Sequence, residues 1–346
     1  MKSGVKNISQ NSLLVFSAFF FIAFILILLA GFRPSGFDPD YYNYLETLTL
    51  DVKDFSFFSM EPLYWALVYL NKLLFNANPN SFFLIVATIF VSVSMYAIKK
   101  YSVNIFLSLI LFLFLFFPDF GLIQIRNGMA IAVFWLAIHD LINNRTKNFI
   151  IKCVIATLFH YSLVISFIFI FFSKNKINKI FYIFLPLISF FIGKYLFTLE
   201  NFKIIIPFLP SFLQFKANAY VSLMSTGVEN SLTKINIINL KSLSFIIFYY
   251  LSILVTPKRE NVTFWTMYIK VLGVGNAIWF MFYNVPVFSF RFSNTLFTII
   301  VFLLPVVFQR FQKHSKIICI QIIILWTVLL SYNIFIKHEI FNFSVF

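Results

Sequence analysis

Charge is what this sequence has least of. Only 11% of its 346 residues are Asp, Glu, Lys or Arg, where soluble proteins carry roughly 25%. So few polar residues cannot cover a globule, which excludes a soluble fold. Acids are the rarer sign, 12 against 27 basic residues. The two cysteines, Cys153 and Cys319, are far apart and lie inside apolar stretches. That excludes a disulfide framework and a cysteine metal site, and leaves two small buried apolar residues. There are 9 glycines in the whole chain, so there is no Gly/Ser-rich linker, and no internal repeat divides it. It reads as one membrane domain over 1–346. What fills the chain is apolar: 61% hydrophobic, 21% aromatic, 52 Phe, with a mean hydropathy of +0.91. The solvent for such a surface is lipid.

The first apolar run, Leu13 to Gly31, follows Lys2 and Lys6 and reads as a signal-anchor helix rather than a cleaved signal peptide. Later runs fall near 82–98, 103–117, 125–142, 149–172, 180–198, 236–255, 262–283, 291–308 and 316–336, with a shorter amphipathic stretch at 62–75. The expected fold is an all-α polytopic membrane protein of about 9–11 transmembrane helices. The net charge of +15 sits in short clusters between these runs. That pattern is the positive-inside bias of a membrane protein, not a nucleic-acid surface. Lys2/Lys6, Lys99/Lys100, Arg145/Lys147, Lys174/Lys176/Lys179, Lys258/Arg259 and Arg310/Lys313/Lys316 are therefore expected in the cytoplasm. The acidic loop 32–61 and the loop 199–235, with Pro207, Pro210 and Tyr220 in a partly structured flap, are expected outside.

Counting crossings exposes a conflict. Arg145/Lys147 and Lys174–Lys179 flank 149–172, yet both should be inside. One crossing cannot satisfy both; a broken hairpin turning near His160 can. By the same count 62–75 must not cross, and lies in the interface or re-enters. Irregular backbone at membrane depth is tolerated only against protein or a water-filled cavity, so both elements point to a cavity.

Ionisable residues inside apolar runs cost roughly 2.5–3.5 kcal/mol on insertion scales and are candidates for function. Arg126 and Arg291 open runs at their outer ends, His160 interrupts one, and Glu61 precedes Pro62. The bland readings are snorkelling arginines, a hydrogen-bonded core histidine and a helix start. Lys270 is expected to pair with a neighbouring helix, His139/Asp140 to be structural at a cytoplasmic helix end, and Lys194 to snorkel. Two arginines offer planar forks to phosphate oxygens, suited to a diphosphate. His160 or a carboxylate suits the removal of a proton from a sugar hydroxyl. Asp38-Pro39-Asp40 is similar to acidic metal-binding pairs of sugar transferases, though a solvated turn is the commoner meaning; Tyr41, Tyr42 and Tyr44 after it suit sugar stacking or the aromatic belt.

Four ordered segments together resemble the Wzy/EpsG-type polysaccharide polymerase family. They are Asp40-Tyr41-Tyr42-Asn43-Tyr44-Leu45, Glu61-Pro62-Leu63-Tyr64, Ile125-Arg126-Asn127-Gly128-Met129-Ala130 and Ile155-Ala156-Thr157-Leu158-Phe159-His160-Tyr161-Ser162. Arg291 resembles a later family arginine; Asn127 departs from the usual Gln. The resemblance implies a glycosyltransferase-C-like enzyme of the bacterial cytoplasmic membrane, its amino terminus in the cytoplasm. It implies transfer of a growing glycan from undecaprenyl diphosphate onto a lipid-linked repeat unit, for O-antigen, capsule or exopolysaccharide. It implies no nucleotide sugar, no cofactor and no metal, with a chain-length regulator as a further partner. The roles it suggests are His160, Glu61 and Asp40 in catalysis, Arg126 and Arg291 on the diphosphate, and Tyr44 and Asn127 on sugar.

Three other functions compete. A repeat-unit flippase should show inverted repeats and midplane sites, and neither is visible. A membrane acyltransferase needs a cytoplasmic base, for which His139/Asp140 is the one weak candidate. An O-antigen ligase is mechanistically close and poorly separated by sequence. Surface glycan from a deletion strain discriminates. Loss of a polymerase leaves single capped repeats, loss of a ligase leaves no capping, and loss of a flippase strands repeats inside.

Overall fold

A computed structural model describes residues 10–51, 53, 60–225, 236–337 and 340–345. The described residues are helical or irregular, with no strand among them. In chain order the helices are α1 (Gln10–Gly31), α2 (Tyr41–Thr49), α3 (Pro62–Phe75), α4 (Pro79–Tyr101), α5 (Ile105–Leu111), α6 (Ile125–Ile142), α7 (Thr146–Phe159), α8 (Lys179–Tyr195), α9 (Leu199–Ile205), α10 (Ser211–Ser225), α11 (Leu240–Leu254), α12 (Val262–Met281), α13 (Pro286–Phe297), α14 (Ile300–Phe308) and α15 (Lys313–Ser331). The loop expected at 199–235 thus holds two helices, and its residues 226–235 lie outside the described ones.

Asparagine starts many of these helices. Asn78, Asn104, Asn178 and Asn239 each accept a backbone N–H from two or three residues into the following helix, at 2.8–3.2 Å. Such a cap satisfies one of the donors a helix start leaves open. Proline occupies the first turn of α3, α4 and α13, where its missing N–H costs nothing.

The chain is a multi-pass membrane protein, but fewer of its crossings are single helices than the apolar runs suggest. Among the described residues, α4, α6 and α15 with its extension to Lys337 are each long and apolar enough to span; α13 and α14 make a fourth only as a pair bent by 42°. The physical reason is that several runs are interrupted. After α5 the backbone widens into π turns at Phe112–Phe116 and Pro118–Ile123. The run expected at 291–308 starts earlier, at Pro286, and bends after Phe297. Arg291 therefore sits inside α13 rather than opening a helix.

The expected hairpin at 149–172 is present. Helix α7 ends at Phe159, His160 is extended, and a 3₁₀ helix runs over Tyr161–Phe171. Lys174 beyond the second arm then donates to Asn144 Oδ1 before the first, at 2.8 Å, so the segment returns to where it began. The arms match in reach: fourteen α residues and eleven 3₁₀ residues each cover about 21–22 Å. Helix α3 also behaves as expected. Tyr64 packs against Phe82, and Asn71, two turns further on, donates to Ser81 at 2.8 Å. Two points so far apart on α3 meet adjacent residues of α4, so α3 lies across the start of α4 instead of beside it.

The bundle consequently has two different ends. Lys174–Asn144 (2.8 Å), Asn175–Thr263 (3.2 Å), Lys179–Thr256 (3.0 Å) and Asn261–Gln309 (2.6 Å) tie together segments that carry basic clusters. Tyr101, beside Lys99/Lys100, stacks on His139 at 3.8 Å. His139 also bonds Tyr268, and Asp140 is held by Arg145 and Lys152, which makes both structural. Lys270 donates to the carbonyls of Ser173 and Lys176, closing the second arm of the hairpin. Lys194 is exposed over the Tyr195 ring. Cys153 is buried and Cys319 half-buried, both as free thiols. Lys2 and Lys6 lie outside the described residues.

In a chain whose native cysteines are replaced by alanine, single cysteines at Asn144 and Asn175 should react with a membrane-impermeant thiol reagent from the same side of sealed vesicles. Labelling from opposite sides would mean that 149–172 crosses once.

Candidate functional site

The opposite end of the bundle gathers the ionisable residues singled out in the sequence. Glu61 is wholly buried at the N-cap of α3, yet its side chain makes no cap bond. It faces inward instead: Oε2 accepts from Arg126 Nη1 at 2.8 Å, and Oε1 lies 3.1 Å from His160 Nδ1. The helix-start reading of Glu61 accounts for its position and not for its side chain. Arg126, in the first turn of α6, also lies over the rings of Tyr64 and Tyr44, at 5.2 and 6.0 Å, within cation–π range. It is tied to protein groups on several sides, which a snorkelling arginine is not.

The His160 contact fixes a tautomer. A carboxylate ionised against an arginine can only accept, so His160 Nδ1 donates to it. In the neutral ring Nε2 is then left as the acceptor. A buried carboxylate that orients a histidine in this way is the arrangement by which histidine is prepared as a base.

Above this cluster opens a cavity of about 610 Å³. Arg126, His160, Arg291, Asp40, Tyr44 and Asn127 all line it, so six sequence candidates converge on one space. Glu61 does not line it; it borders a narrow side pocket that shares His160 and Arg291. Glu61 thus reaches the main cavity through its contacts with His160 and Arg126. Tyr44 lines the cavity by its ring. It is buried and its hydroxyl donates to Ile123 O at 2.8 Å, so it presents a ring more than a free hydroxyl. Asn127 accepts from Thr295 at 3.2 Å and donates to Gln124 at 3.4 Å.

The two aspartates of Asp38-Pro39-Asp40 part company. Asp38 is buried 2.9 Å from Arg33, and burial pushes its carboxyl up to about 6 against the pull of that arginine. Asp40 faces the cavity and accepts from Asn43 at 3.2 Å. They do not converge on one point, and no group of three His, Cys, Asp or Glu occurs among the described residues.

Sequence reading missed the far wall. Asp119, in the π turn Pro118–Ile123, lines the cavity with Gln124, Lys241, Asn239, Asn294 and Asn333. Asp119 looks like a loop acid after Pro118, and Lys241 like an ordinary helix-start lysine; nothing local marks either. The π turn is held from below by close packing. A Cβ on Gly128 would lie 2.1 Å from the Phe120 carbonyl oxygen, so only glycine lets α6 and this turn approach.

The fold and site together are those of a polytopic helical bundle with a polar cavity at one end, lined by arginines, a carboxylate-oriented histidine and amides. The family model of the EpsG family matches residues 16–346, and the chain belongs to that family, the family of Wzy/EpsG-like polysaccharide polymerases. Neither a curated protein nor a solved structure is similar enough to match.

Two outcomes follow. Gly128→Ala should lower thermal stability in detergent by about 1–3 kcal/mol through overpacking; an unchanged melting point would mean the turn yields freely. Glu61→Gln keeps the shape but can donate to His160 Nδ1 and so favour the wrong tautomer. Surface polysaccharide should fall by roughly 10² or more at constant membrane protein level; full-length polymer would return Glu61 to a helix-start role.

Proposed function

We propose that this chain polymerises a lipid-linked glycan at the outer face of the bacterial cytoplasmic membrane. The donor is the growing glycan on undecaprenyl diphosphate and the acceptor is the next lipid-linked repeat unit. The basic end lies in the cytoplasm together with the amino terminus, as the positive-inside rule requires, which puts the cavity outside. A glycosyltransferase-C-like placement of the site fits the same reading.

The observation that carries the proposal is the convergence of Arg126, Arg291 and His160 on one cavity, with Glu61 beneath. In the reaction an acceptor hydroxyl oxygen bonds to the donor's anomeric carbon. The bond from that carbon to the diphosphate oxygen breaks, and the electron pair leaves with undecaprenyl diphosphate. Charge grows on that leaving oxygen, where fixed guanidinium groups stabilise the transition state. The hydroxyl proton goes to His160 Nε2, which the Glu61 contact leaves open; Asp40, on the same cavity, is the other base within the site. Asn127 and the ring of Tyr44 contact sugar.

A lysine keeps the charge of an arginine but loses its fork. Arg126→Lys and Arg291→Lys should each cut the transfer rate by about 10²–10³ and shift surface glycan from ladders to single repeats. Silver-stained glycan gels beside membrane protein levels read the result. Full ladders from both variants would overturn the clamp. His160→Ala set against Asp40→Asn identifies the base, since only loss of the base should leave substrate binding intact while abolishing polymer.

A further inference from the structure

Beside the arginines the cavity wall carries a continuous chain of polar contacts, of which the proposed chemistry uses Asn127 alone. Lys241 Nζ lies 3.4 Å from Asp119 Oδ2, and Asp119 Oδ1 accepts from Gln124 at 2.8 Å. Gln124 Oε1 accepts from Asn127 at 3.4 Å, and Asn127 Oδ1 accepts from Thr295 at 3.2 Å. The chain crosses four elements: the start of α11, the π turn, the start of α6 and α13. Asp119 is nearly buried, its side chain 11% exposed and that of Lys241 23%. Asn294 and the ring of Phe290 border the same space.

We infer that this wall is the sugar subsite, that Asp119 and Lys241 are its specificity-determining pair, and that it takes a neutral, hydroxyl-rich sugar. The inference rests on the polymerase reading above. Three features argue for it. First, Lys241 and Asp119 both line the cavity while holding each other at 3.4 Å. A sugar hydroxyl both donates and accepts, so from the cavity side it can meet both an ammonium, which only donates, and a carboxylate, which only accepts. Second, the wall's cation and anion answer each other, so a charged sugar would meet a charge of its own sign whichever that sign is. Third, planar amides beside an aromatic ring offer paired hydrogen bonds and an apolar face to a pyranose. The arginines then hold the phosphate end of the substrate, and this wall reads the glycan.

Two probes separate the ends of the substrate. One is the free oligosaccharide repeat, released from extracted lipid-linked units by mild acid. The other is polyprenyl diphosphate without sugar. With purified full-length protein in nanodiscs, Asp119→Asn and Lys241→Gln should each weaken the oligosaccharide Kd by about 10–100-fold, the loss of one hydrogen bond to a charged group. Both should leave the polyprenyl diphosphate Kd within about twofold. Arg291→Lys should do the reverse. The inference is overturned if either variant leaves the oligosaccharide Kd unchanged, or if it weakens both probes alike, which is the mark of a merely structural pair. Failure of the wild-type protein to bind polyprenyl diphosphate would count against the polymerase reading instead, and the oligosaccharide arm would still judge the wall.

Discussion

A carboxylate with no exposure to solvent is a severe constraint, and the site is organised around one. Glu61 is held in a dehydrated place with a guanidinium and an imidazole N–H at its two oxygens. Removing one member of such a buried set typically costs about 3–5 kcal/mol. The three partners come from three separate elements, the start of α3, the start of α6 and the hinge of the α7 hairpin. Glu61 and Arg126 stand where helices begin and His160 where one breaks. Helix starts and one interrupted run are therefore what places charge at the cavity.

Breaking helices at membrane depth leaves backbone groups that lipid cannot satisfy, and the chain meets this locally. The His160 N–H still reaches Ala156 O at 2.9 Å, and Lys270 takes the carbonyls where the hairpin ends. At the π turn the Gln124 N–H reaches Asp119 O at 2.7 Å. An intramembrane lysine or a cluster of asparagines looks like a candidate ligand set from sequence. Much of it is instead the cost of building irregular backbone, and Lys270 and the asparagine caps are examples.

The same distinction explains what could be read in advance. The all-helical membrane fold, the hairpin and the crosswise α3 were legible because basic clusters must share a side and hydrophobic runs have a length. Glu61, Arg126, His160 and Arg291 were legible because an ionisable group in an apolar run has few innocent explanations. Asp119 and Lys241 were not, because each sits at the edge of a run, where charge is ordinary. Only the continuation of helical backbone through Pro118–Ile123 carries Asp119 into the cavity, and a π widening leaves no mark in the apolar pattern. Asp38 shows the opposite case: it is close in sequence to Asp40, but it faces Arg33.

One electrostatic arrangement joins the fold to the chemistry. Arg126 stands in the first turn of α6 and Arg291 in the second turn of α13, both near the positive ends of their helix dipoles. A cation there is disfavoured by roughly 0.3–1 kcal/mol, so these positions are not ones a helix chooses for its own stability. For Arg126 the buried Glu61 offsets that cost while leaving the guanidinium on the cavity wall. Helix start and side chain then add to the same positive potential, which suits the diphosphate of the proposed reaction. A substrate whose tail stays in lipid and whose glycan needs water can be gripped only where those two solvents meet. On the proposed reading, the starts of α6 and α13 supply the fixed charges for that grip.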